Sequence, residues 1–102
     1  FEFKNYNGLY QTSRHLADIF AGKDSEKSLK YLIDAYGFAK NLKEPYYIAD
    51  IAYEIGNYYL LRKDFSNSLK YMEEALEVSK NSLSKDDISR IISKIDYIKK
   101  FI

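Results

Sequence analysis

No cysteine occurs in the 102 residues, and histidine, proline, methionine, valine and threonine occur once each. Without thiols, a disulfide framework, a thiolate zinc site and a cysteine nucleophile are excluded, and no redox compartment is imposed. The four glycines are scattered, so no loop can cradle a phosphate with a run of backbone N–H groups. So few turn-forming residues, and so little valine and threonine, favour helices over strands, which would need turn signals every few residues. Neither sign of charge dominates: sixteen basic residues stand against fifteen acidic ones, a formal net charge of +1. That balance speaks against the basic track with which RNA-reading helical repeats neutralise phosphates, and no direct nucleic acid partner is expected. No apolar run approaches the roughly 20 residues of a membrane span, and no charged-then-apolar signal segment opens the chain, so a soluble, cytoplasmic domain without membrane contact is the expectation. The chain opens at Phe1 rather than a methionine and carries apolar residues at both ends (Phe1, Phe3, Phe101, Ile102), which reads as a piece of a longer protein.

What is present is 46% hydrophobic, 30% charged and unusually rich in tyrosine, with eleven of them. At this length a core can form without crosslinks. Sliding the sequence by 40 residues superposes Lys23-Asp24 on Lys63-Asp64, Ser28-Leu29-Lys30-Tyr31 on Ser68-Leu69-Lys70-Tyr71, Ala35 on Ala75 and Lys40-Asn41 on Lys80-Asn81. Nine of the nineteen positions from 23 to 41 are identical. A period in this range signals stacked supersecondary units. The chain holds two copies of one unit, about 9–48 and 49–88, and a trailing helix at about 85–102, all within a single domain.

Apolar spacing fills in the helices. Phe65, Leu69, Met72, Ala75 and Leu76 recur at helical intervals behind Asp64, a preferred N-cap residue, and Leu29, Leu32, Ala35 and Tyr36 follow Asp24 in the same way. The preceding helices run through Leu9, Leu16, Ile19 and Phe20, and through Ile48, Ile51, Ala52, Ile55 and Tyr59, the latter opened by Pro45, whose missing N–H costs nothing in a first turn. Ser84-Lys85-Asp86-Asp87 has the form of a capping box ahead of the stripe Ile88, Ile91, Ile92, Ile95 and Ile98. Five helices are therefore expected, near 5–21, 24–41, 45–61, 64–80 and 85–101. The fold class is all-α, antiparallel helix-turn-helix repeats joined by connectors too short for any other arrangement.

The stretch from Ala52 through Ile55-Gly56 to Tyr59, then Asp64-Phe65, Ser68 and Ala75, resembles the tetratricopeptide repeat, although Ser68 replaces the commoner alanine and no proline follows Val78. The first unit matches less closely: at offset 40 Leu16 stands where Gly56 does and Ser25 where Phe65 does. The 40-residue spacing is similar to the longer variant found in bacterial peptide-pheromone receptors of the Rap and PlcR type and in kinesin light chain. The resemblance implies a short right-handed solenoid, a non-enzymatic protein- or peptide-binding module, no cofactor, and a parent that is a bacterial transcription regulator with its DNA-binding segment elsewhere.

No constellation for catalysis or metal binding stands out. His15 falls on Ile55 at offset 40, a core-facing place, and lacks partners for acid-base work. Asp86 and Asp87 suit the dipole at a helix start better than a carboxylate dyad. Glu73, Glu74 and Glu77 suit a solvated face better than a cation cage. The informative surface is the helix face opposite the core, which the resemblance places along a concave groove. On the helix through Ile51 it carries Asp50, Tyr53, Asn57 and Leu60. Offset 40 adds Tyr10, Ser13, Ala17 and Phe20 from the first unit, and Arg90, Lys94 and Tyr97 on the last helix complete the strip. Aromatic anchors with a few directional polar groups suit a peptide or an extended segment of a partner protein, with Asn57 as the main hydrogen-bonding residue. A clamp for a C-terminal carboxylate is not expected, because Ser13, Ala17 and Glu54 occupy places where it would need basic or amide side chains. The alternative class is structural, with the apolar ends around Ile98, Phe101 and Ile102 packing on further repeats or forming a homodimer.

Overall fold

The structure, a computed structural model, describes residues 5–80 and 84–102. Among them are five α-helices and no strand: α1 Tyr6–Phe20, α2 Ser25–Leu42, α3 Pro45–Leu61, α4 Phe65–Ser79 and α5 Lys85–Lys99. No described helix is long and apolar enough to cross a membrane.

The helix starts follow from local chemistry. The side chains of Asn5, Asp24, Asp64 and Ser84 accept hydrogen bonds from the backbone N–H groups of Gly8, Lys27, Asn67 and Asp87, at 2.9, 3.1, 3.3 and 3.2 Å. Each satisfies one of the donors that a helix start leaves without an intrahelical partner. The Ser84 hydroxyl also donates to Asp87 Oδ2 at 3.0 Å, so the expected box closes through the serine side chain. Helix α3 needs no such side chain in its first position, where Pro45 brings no N–H to satisfy.

The chain divides into two compact units, Phe1–Glu44 and Pro45–Ile102. In the first, α1 packs along α2; in the second, α4 packs along both α3 and α5. The two hairpins share one device. The buried Ser28 hydroxyl donates to the Ala17 carbonyl at 2.8 Å, and the buried Ser68 hydroxyl donates to the Gly56 carbonyl at the same distance. A serine bonded to the neighbouring helix's backbone needs that backbone close, hence the small residue beneath it. A Cβ on Gly56 would lie 2.9 Å from Met72 Cε and 3.0 Å from Cγ. Each hairpin also stacks two rings at 16° between planes, Phe20 on Tyr31 at 5.8 Å and Tyr59 on Tyr71 at 6.0 Å.

These paired contacts fix the phase of the repeat. Burial over residues 21–40 is reproduced class for class over 61–80, so offset 40 holds along α2 and α4. Along α1 and α3 the offset is 39: Ala17 corresponds to Gly56, Phe20 to Tyr59, and the buried Tyr10 and Ser13 to the buried Ala49 and Ala52. The difference is one residue in the turn. The Asp24 N–H donates to the Phe20 carbonyl four residues back, whereas the Asp64 N–H reaches the Tyr59 carbonyl five residues back, and Lys63 N–H bonds to Leu60 O. That is a Schellman closure, and Lys63 takes the left-handed conformation it requires, with φ 60°.

The expectations carried from offset 40 into α1 are therefore corrected. Ala17, not Leu16, occupies the place of Gly56, so the first hairpin keeps the small contact residue. His15 is exposed rather than core-facing. Leu9 and Ile19, expected in the core, are exposed, and the buried face of α1 is Tyr10, Ser13 and Ala17.

Candidate functional site

Helices α3 and α5 both lie along α4 and touch each other only sparsely, which leaves a cleft between them. It holds an open cavity of about 170 Å³, lined by Tyr46, Ala49, Asp50 and Tyr53 from α3 and by Asp87, Arg90 and Ile91 from α5. The α3 residues follow the i, i+3, i+4, i+7 spacing of one helix face, and the α5 residues the i, i+3, i+4 spacing of another. Ala49 and Ile91 are buried at the floor, while Tyr46 is about half exposed. An engineered cavity of roughly 150 Å³ admits benzene, so a space of this size takes one side chain or a group of about one ring, not a drug-sized ligand.

The polar groups are held in place. Asp87 is fixed by its role at the start of α5, where one carboxylate oxygen accepts from Ser84 and the other lies 3.5 Å from Arg90 Nη1. The Arg90 side chain is 61% exposed, so this i, i+3 pair adds little to stability and instead sets where the guanidinium sits. The lining carries two carboxylates and one guanidinium between two tyrosine rings.

Of the eleven residues expected to form the groove, Asp50, Tyr53 and Arg90 meet in this cavity. Tyr10, Ser13 and Ala17 do not present a groove: they are 1%, 8% and 1% exposed, because the first helices are related by 39 rather than 40 residues. Phe20 lies in the hairpin's ring stack against Tyr31. The residues of the first unit that correspond to Tyr46, Asp50 and Tyr53 are Asn7, Gln11 and Arg14, and Arg14 pairs with Asp18 at 3.8 Å.

Asn57, one turn beyond Asp50 and Tyr53 on α3, is half-buried, and its Oδ1 is buried with no hydrogen-bond donor among the described residues. The atom expected to accept from a peptide N–H is thus turned away from solvent. Leu60 and Lys94 are half-buried. Tyr97 is half exposed and sits edge-on to Phe101 at 5.2 Å, which in turn stacks on Phe65 at 4.6 Å, so it belongs to an aromatic cluster at the far end of α5.

Tyr46 and Asp87 are lining residues the sequence reading did not assign to the site. Both fall in first turns, where cap chemistry is the obvious role, and only the continuation of the helical spacing back from Tyr53 to Tyr46 signals the second one. Among the described residues no three histidine, aspartate or glutamate side chains gather in a way that would hold a metal ion. The chain matches no protein-family model, no curated protein and no solved structure.

Proposed function

We propose that the chain is a non-enzymatic binding module of tetratricopeptide type that takes a peptide, or an extended segment of a partner protein, across the face formed by α3 and α5. The observation that carries this reading is the side-chain-sized cavity between those helices, with a buried apolar floor, aromatic walls and positioned charges. An extended peptide offers side chains one at a time, and one such cavity beside a helix face reads one of them. Two hairpins with a small residue at each helix crossing support the repeat assignment. A peptide library titrated against the isotopically labelled protein tests the proposal. Amide shifts are expected at Tyr46, Asp50, Tyr53 and Arg90. Saturating shifts confined to the outer face of α4, at Glu73 and Glu77, with none in the cleft, would defeat it.

A second reading, self-association, draws on one specific observation: Tyr97, Phe101 and Ile102 leave 50%, 52% and 69% of their surface exposed at the end of α5. Light scattering over a concentration series distinguishes it, since a constant monomer mass at high concentration removes this reading and leaves the first intact.

A further inference from the structure

We propose that Asn7 is a site of spontaneous covalent modification, deamidation to aspartate and isoaspartate, and that the cap of α1 sets its rate. The chain has six asparagines, and only Asn7 is followed by glycine. In this reaction the backbone N of the following residue attacks the asparagine side chain. A following residue without a Cβ leaves the attacking atom open and the backbone free to turn toward its target. The Asn7 side chain is exposed and makes no hydrogen bond among the described residues. The Gly8 N–H is one of the first-turn donors that no intrahelical carbonyl reaches. What holds it is a side chain alone, Asn5 Oδ1 at 2.9 Å. Asn67 shows the opposite arrangement. Its Nδ2 donates to Asp64 Oδ2 at 2.7 Å, and the N–H of the buried Ser68 donates to the Asp64 carbonyl at 3.0 Å, so leaving group and nucleophile are both held.

Water is the only co-reactant the step needs. The Gly8 nitrogen gives its proton to a solvent base and bonds to Asn7 Cγ, the bond from Cγ to the side-chain nitrogen breaks, and ammonia leaves a five-membered imide. Water then adds to one of the two imide carbonyls. Opening at Cγ gives aspartate; opening at the Asn7 backbone carbonyl gives isoaspartate, with the chain running through the side chain. Helical backbone holds the reacting atoms in the wrong orientation, so reaction waits on opening of the first turn, which frays most readily. Both products bring a negative charge to a first turn that has no acidic residue. Aspartate there suits the helix dipole, whereas the isoaspartyl link adds a backbone atom that the regular turn does not absorb. Asn7 occupies in α1 the place of Tyr46 in α3, so the new carboxylate joins Gln11 and Arg14 on one helix face.

Prolonged incubation of the whole chain in mildly alkaline buffer, followed by peptide mapping with mass spectrometry, provides the test. The peptide holding Asn7 is expected to gain one mass unit and to separate into two chromatographic forms, ahead of Asn41, Asn57 and Asn67, which lie further inside α2, α3 and α4. Asn5→Ala removes the cap and is expected to speed this about fivefold, the factor by which a lost N-cap shifts the opening equilibrium, with conversion at Asn67 unchanged. Asn5→Asp keeps a capping oxygen and should hold the rate at or below that of wild type. Equal acceleration at Asn7 and Asn67 in Asn5→Ala would make global unfolding the route and overturn the role of the cap. Conversion at Asn41, Asn57 or Asn67 before Asn7 would overturn the site assignment. So would an unmodified Asn7 in both wild type and Asn5→Ala after the guanidinium-unfolded chain has converted fully.

Discussion

Gly56→Ala and Gly37→Ala make the same chemical change in two helices and are expected to have opposite effects. Both glycines lie inside helices, α3 and α2, where alanine is favoured over glycine by about 1 kcal/mol. At Gly37 a new Cβ meets nothing within 4 Å, so the full gain of about 1 kcal/mol is expected. At Gly56 the Cβ would lie 2.9 Å from Met72 Cε, 3.0 Å from Cγ and 3.1 Å from Sδ, and Met72 is fully buried, so not only its end but its Cγ must give way. Overpacking of this kind costs roughly 1–3 kcal/mol, which outweighs the propensity gain and leaves a net loss of about 1 kcal/mol. The two variants should therefore differ by about 2 kcal/mol, on the order of 10 °C in Tm for a chain of this size. The first hairpin suggests the repair, since it places Ala17 and Leu32 where the second has Gly56 and Met72. Met72→Leu removes the methyl group nearest the new Cβ, so it should recover about half of the loss in the Gly56→Ala background while giving no gain alone. Urea unfolding of the four combinations, followed by circular dichroism, measures the coupling. Gly56→Ala stabilising the protein as much as Gly37→Ala, or the two changes adding independently, would refute the close-approach account of the α3–α4 crossing.

Ser28→Ala and Ser68→Ala each remove one buried hydroxyl bond to a neighbouring helix's carbonyl, and a similar loss of about 1 kcal/mol in each is expected from denaturant melts. Lys63→Gly is expected to stabilise by roughly 1 kcal/mol, because only glycine adopts the left-handed closure of α3 without steric cost, whereas Lys63→Ile should destabilise; the same pair of melts reads both. The Tyr59 phenol is held above the ordinary tyrosine range, first by burial and then by Tyr71 and Asp64. Its proton is thus bound more tightly in the folded chain than in the unfolded one. The stability this contributes is fully present below the ordinary tyrosine value of 10.0 and is lost as pH rises through the higher folded value. Alkaline titration of tyrosinate absorbance should show one phenol ionising late in wild type and missing from Tyr59→Phe, which should also lose less stability between neutral and strongly alkaline pH.

The helix boundaries were legible to within two residues because each start has its own local chemistry. Asp24, Asp64 and Ser84 are side chains that can bond the first-turn N–H groups, and Pro45 is a residue that a first turn tolerates. Asp50, Tyr53 and Arg90 were legible as neighbours because the residues read as core on α3, Ile51, Ala52 and Ile55, and on α5, Ile91, Ile95 and Ile98, are the ones buried there, so the face beside each is correctly placed. Helix α1 is amphipathic too, but the large aliphatic residues Leu9 and Ile19 are not the ones it buries. Its buried face pairs a large amphipathic residue, Tyr10, with the small Ser13 and Ala17, while Leu9 and Ile19 point outward. Hydrophobicity therefore selects the wrong side of α1. The depth of Asn57 Oδ1 was illegible for another reason: an amide suits a groove or a core equally until its neighbours are known.

The error in α1 has a single physical source, and it bears on what the first unit would contribute on the peptide-binding reading. Identical residues establish offset 40 only along α2 and α4, and carrying it across the preceding turn assumes turns of equal length. From Tyr59 to Asp64 the chain has one residue more than from Phe20 to Asp24, and the left-handed position there is filled by Lys63 rather than by the glycine that would announce it. A one-residue shift rotates every side chain on a helix by about 100°. It moves Tyr10 from the expected groove into the buried face and brings Gln11 and Arg14 into the positions that match Asp50 and Tyr53. The corresponding face of the first unit is thus built for hydrogen bonds and charge, and the aromatic cavity lies in the second unit. On the peptide-binding reading, the anchor side chain is held by α3 and α5, and whatever the first unit adds comes from polar groups such as Gln11 and the Arg14–Asp18 pair.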